Sequence, residues 1–173
     1  MLHMHRVVLV AFFACVWETA SGKPGASEHA DLSKDVVCPT AVTTGSPTSI
    51  VEVLTRIVDK TETISRVRVE HNAPGSEIYL LMRIAVDSNT SIRSADTLSR
   101  SPSDPGVIEK SYNELAAHTA SASKVVGGFL HGDTNFAIKR IDDSSATNML
   151  RDLDCEIRVL SKNVDALGEH LVN

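Results

Sequence analysis

The stretch "MLRDLDCEIRVLSKNVDALGEHLV" (149–172) places an apolar residue at every third or fourth position: Leu150, Leu153, Ile157, Leu160, Val164, Leu167 and Leu171. At 100° per residue these side chains share an arc of about 100°. A strand would send alternate residues to opposite faces, so only a helix keeps this set together, and only if that arc is buried. The rest of the chain must then supply elements that can cover a helix.

Three other segments have the same character. From Ser49, the residues Ile50, Val53, Leu54, Ile57, Ile64 and Val67 recur at helical spacing until His71-Asn72-Ala73-Pro74-Gly75 breaks the pattern. A second helix carries Ile78, Leu81, Met82, Ala85, Ile92 and Ala95 on one side and ends in the polar run Thr97 to Ser103. The third opens at Ser103-Asp104-Pro105, where Ser103 or Asp104 can accept from free N–H groups and Pro105 suits the first turn. Its stripe is slim: Val107, Ile108, Tyr112, Leu115, Thr119, Ala122, Val125, Val126 and Phe129, with Gly127-Gly128 expected to loosen the last turn. Residues 131–144 read as a connection in which Phe136, Ile138 and Ile141 pack down. Asp142-Asp143 should cap the last helix, and Asp152 and Asp154 should lie on its solvated face. No useful strand-like alternation occurs. The expected fold is all-α, an antiparallel bundle of four main amphipathic helices, with or without a short fifth near Phe136.

The domain order follows from composition. Residues 1–22 read as a secretory signal: Arg6 and two histidines, then the apolar run Val7–Trp17, then Thr19-Ala20-Ser21-Gly22 for cleavage. That run is too short to span a bilayer and no longer one follows, so no stable membrane insertion is expected. Residues 23–48 form an irregular lead-in and 49–173 the helical domain. Removing the leader takes Cys15 away and leaves Cys38 and Cys155, an even pair for an oxidising compartment. Cys155 falls roughly 160° from the centre of the apolar arc, so a bridge would draw the lead-in across the outside of the last helix. Closing a loop of about 117 residues would stabilise by roughly 4–5 kcal/mol on the chain-entropy model. Asn89-Thr90-Ser91 is an N-glycosylation sequon.

The chemistry of catalysis is not written in the chain. A formal charge of −5 without a basic cluster argues against a nucleic-acid partner. There is no G-x-S-x-G elbow, H-E-x-x-H, C-x-x-C or regular carboxylate loop, so neither an enzyme nor a metal or cofactor is expected. His118 reads as an ordinary boundary histidine beside the third stripe, and His131 as part of a flexible helix end. What remains is an apolar interior, packed backbone-close or leaving a slot that an acyl chain could fill.

The order of these pieces resembles the fungal hydrophobic-surface-binding proteins, the family of cell-wall galactomannoproteins. The likeness lies in "VLTRIVDKTETI" (53–64), "HNAPGSEIYLLMRI" (71–84), the third-helix start with Asp104, Ile108, Tyr112 and Leu115 in step, and "MLRDLDCEIRVLSKNVDALGEHLV" with Phe136 before it. The Cys38/Cys155 pair is not a hallmark of that family. The resemblance implies a secreted protein, at the cell wall or outside the cell, that attaches to hydrophobic surfaces or binds fatty acid between helices. Carried over by position, the ligand-lining residues would be Leu54, Ile57, Leu81, Ile84, Leu115, Val126 and Leu153. A different reading of the same bundle is a cytokine-like ligand for a cell-surface receptor. Helix direction separates the two: receptor ligands of that kind need long crossovers, whereas short connections give antiparallel neighbours.

Overall fold

The computed structural model describes Cys38, residues 43–100 and residues 102–172. The leader expected over 1–22, and all of the lead-in up to residue 42 except Cys38, lie outside the described residues. Four helices account for nearly all of the rest: α1 (Pro47–Glu70), α2 (Gly75–Ser99), α3 (Pro105–His131) and α4 (Ser144–Val172).

Local chemistry sets the ends. The first helix starts two residues before the Ser49 expected, because Ser46 caps it by accepting from Ser49 N–H while Pro47 takes the first turn. It stops where Asn72 adopts a left-handed backbone, φ 55°, and Ala73 N–H reaches back to the Arg68 carbonyl. Asp104, rather than Ser103, caps α3 through Gly106 N–H at 2.8 Å. Asp143 caps α4, its Oδ1 accepting from Ala146 N–H at 3.0 Å.

The connections are short: residues 71–74, 100–104 and 132–143. A helix the length of α1, 24 residues, is about 36 Å long. Neither of the first two connections can run back along a helix of that length. The third is folded on itself instead of stretched. Asp133 and Ile138 exchange backbone hydrogen bonds at 2.8 and 2.9 Å, and the Asp133 carboxylate accepts from Asn135 and Phe136 N–H. This turn replaces the short helix allowed for near Phe136, since Ala137 at φ 53° cannot continue one. Ile138 and Ile141 do pack down, but Phe136 stays half exposed with Lys124 Nζ 3.1 Å over its ring.

Pairs across the interfaces give the directions. Ser49, Arg56 and Arg68, successively later on α1, meet Asn163, Glu156 and Asp143, successively earlier on α4. Ser88 and Ser94 on α2 meet His118 and Glu114 on α3. Tyr112 near the start of α3 packs on Gly168 near the end of α4. Each helix contacts only its two neighbours in the ring α1–α2–α3–α4. The fold is therefore an antiparallel up-down-up-down four-helix bundle.

The interior is one continuous apolar cluster fed by all four helices, from Ile50 and Leu54 to Leu160 and Leu167. Some expectations about faces are corrected. Val107 and Leu171, read into the apolar stripes, are exposed by 36 and 40% near helix ends. Met82 points outward, 43% exposed, because its register lies well off the arc of Leu81, Ile84 and Ala85. Asp154 is buried beneath Arg158, whose Nε and Nη2 donate to it at 2.8 and 2.7 Å. Gly127 and Gly128 do not loosen α3 either. The helix runs on to His131, and Gly128 makes room for Ile138, which a Cβ would meet at 2.9 Å.

Candidate functional site

Cys38 and Cys155 form a disulfide with their Cα atoms 5.3 Å apart. Cys155 is buried although its register faces away from the core. Further along α4 the lead-in docks again. Asn163 Oδ1 accepts from Thr44 N–H, Gly45 N–H and the Ser49 hydroxyl, at 3.2, 3.3 and 3.1 Å. Gly45 has φ 62°, and a side chain there would strike the α4 backbone at Ala166 and Leu167. The outer side of α4 toward α1 is thus strapped by the lead-in.

The opposite flank of α4, toward α3, carries a groove of about 550 Å³. From α3 it is lined by Ala116, Thr119, Ala120, Ser123 and Lys124, and from α4 by Ile157, Arg158, Ser161, Val164 and Asp165. Its cause is side-chain length. One end of the α3/α4 pair is held close by Tyr112 on Gly168, where a Cβ would lie 2.5 Å from the hydroxyl. Beyond Tyr112, the α4-facing flank of α3 has only Ala, Thr and Ser for two turns, leaving a half-open trough with Ile157 and Val164 in its wall. Lys124 and the Arg158–Asp154 ion pair stand at one end and Asp165 at the other.

The seven expected lining residues behave differently. Leu54, Ile57, Leu81, Ile84, Leu115, Val126 and Leu153 are brought together, all at most 3% exposed, as members of the central cluster. None of them borders the groove. The resemblance put the ligand in the apolar interior between the helices, whereas the groove lies on the α3/α4 flank. The signal was the run Ala116, Ala120 and Ser123 facing Ile157, Ser161 and Val164, one helix turn apart on each side.

His118 is not a boundary residue. It is 7% exposed, and it shares a 2.9 Å hydrogen bond between Nε2 and the hydroxyl of the fully buried Ser88. Burial holds its pKa below the usual histidine value, opposed by the charge of Asp87. Its Nδ1 has no hydrogen-bond partner, and a nucleophile–base pair needs a third group to orient the ring. Ser91, Ser94 and Ser111 are buried too, so the α2/α3 seam is a polar layer that the sequence, read by periodicity, presents as solvated.

A second ionic cluster ties three helix ends together. Arg68 at the end of α1 binds Glu77 near the start of α2 and Asp143 at the cap of α4. The Glu77 hydrogen bond raises the guanidinium pKa against the effect of burial. Asp143 also meets His71 Nδ1 at 2.7 Å. Its carboxyl is held below the usual range, first by Ala146 N–H and then by His71. These groups are used up in closing that end of the bundle. Among the described residues, no group of three or more His, Cys, Asp or Glu side chains could hold a metal ion, and no helix is long and apolar enough to cross a membrane. No known protein family and no curated protein matches the sequence.

Proposed function

We propose that this chain is an exported, non-enzymatic bundle that takes up a fatty-acyl chain, or the equivalent apolar strip of a hydrophobic surface, in the groove between α3 and α4. The observation that carries the reading is the groove itself: about 550 Å³, within the range of small-molecule sites, with short side chains along one wall and Lys124 at one end. The Cys38–Cys155 disulfide supports an oxidising, extracellular or cell-wall location. The family resemblance of the sequence points the same way, with the ligand moved from the packed core to the flank. The antiparallel ring with short connections favours this reading over a receptor ligand with long crossovers.

The expected strength is modest. A fully buried CH₂ contributes about 0.8 kcal/mol, and a trough open along one side delivers roughly half of that. About ten methylenes then supply roughly 4 kcal/mol, the scale of a millimolar Kd before any contribution from Lys124 or Arg158. Equilibrium dialysis of labelled dodecanoate tests the proposal against Ala120→Trp. Ala120 is exposed, so the indole fills the trough without entering the core. Uptake by the wild type and its loss in the variant is the expected result; equal uptake by both, or by neither, removes the groove as the site.

A further inference from the structure

We propose that Asn89 carries an N-linked glycan, added before α2 packs, that lies over an apolar stripe on the outer face of this helix. The stripe is Tyr79, Met82 and Val86, exposed by 63, 43 and 59%. On the outer face of a bundle helix, side chains of this kind gain nothing from water and invite association. The sequon supplies their cover. In helical register Asn89 continues the stripe, all four positions falling within about 80°. It stands about 4.5 Å beyond Val86 and about 10 Å beyond Met82 along the axis. Helical side chains lean toward the N-terminus, so a group attached to Asn89 is directed back over Val86 and Met82 and away from Arg93. Arg83 and Asp87, 3.5 Å apart, form an ion pair beside the stripe.

The burial pattern of the sequon fixes the order of events. Asn89 and Thr90 are exposed, but Ser91, the hydroxyl residue of the motif, is 3% exposed and turned into the α2/α3 seam. A transferring enzyme that must read both Asn89 and Ser91 can do so only while this segment is unfolded. In the transfer, Asn89 Nδ2 forms a bond to the sugar C1 of a lipid-linked oligosaccharide pyrophosphate. The C1–O bond to pyrophosphate breaks, and an amide proton passes to the enzyme's base. The inference rests on the export reading above but not on the groove.

The test is full-length expression in a yeast secretory host, followed by intact mass and peptide mapping. A chain cleaved after the leader, with glycan mass on the 89-containing peptide, is the expected result. A cleaved chain unmodified at Asn89 overturns this inference alone; an uncleaved chain overturns export and with it the inference. The cover is then read through dilute hydrogen peroxide, which converts Met82 to the sulfoxide. Enzymatic deglycosylation, and separately Asn89→Gln, should raise the Met82 oxidation rate about twofold or more while Met149 on α4 keeps its rate. An unchanged Met82 rate in both overturns the cover, and an equal rise at Met149 shows general loosening and overturns it as well.

Discussion

Adjacent glycines in α3 have opposite meanings. A Cβ at Gly127 meets nothing within 4 Å, whereas at Gly128 it would lie 2.9–3.0 Å from three atoms of Ile138, including its Cβ, which cannot swing away. Gly127→Ala should therefore stabilise by about 0.5–1 kcal/mol through helix propensity. Gly128→Ala should destabilise by about 1–3 kcal/mol by overpacking, and urea midpoints of the two variants will show the opposite signs. At His118 the expectation concerns pH. Burial puts its folded-state pKa below the unfolded one, so the unfolded chain binds the proton first. Stability is full above about pH 6.5 and falls as the pH drops from there toward the lowered value. Denaturation curves at a series of pH values should show this loss in the wild type and a shallower one in His118→Gln, which keeps an acceptor and donor for Ser88 but has no such proton to take up. An identical pH dependence in both would mean that His118 is not held neutral by the fold.

The helices themselves were legible because a period of 3.6 leaves few alternatives. Leu150, Leu153, Ile157 and Leu160 read as buried and are buried. Much of what was illegible has one physical cause: periodicity treats most polar residues as solvated. Ser88, Ser91, Ser94, Asp154 and Asn163 are instead enclosed, because hydrogen bonds or a neighbouring element satisfy or cover them. The Cys38–Cys155 bridge was legible from parity and compartment, but the second anchor of the same strap, Asn163, was not. The two anchors can be separated. Replacing both cysteines by serine should cost about 2–5 kcal/mol. Asn163→Ala should cost about 1–3 kcal/mol, since it leaves the Thr44 and Gly45 N–H groups without their acceptor. If the strap is one cooperative unit, the triple variant loses less than the sum of the parts, and chemical denaturation of the set measures that difference.

On the scale of the whole molecule, the two flanks of α4 divide the labour. One is strapped by the lead-in, and the other is left short of side-chain volume against α3. Between them lies the central apolar cluster. The slimness of α3 visible in the sequence coincides with a groove beside the core, which we propose as the ligand site in place of a slot within it. Methyl NMR during a dodecanoate titration tests this most directly. The account predicts saturable shifts at Ala116, Ala120, Ile157 and Val164, with Leu54, Leu81 and Leu153 unmoved. Shifts centred on those core leucines, or no saturable shift at any methyl, would contradict it.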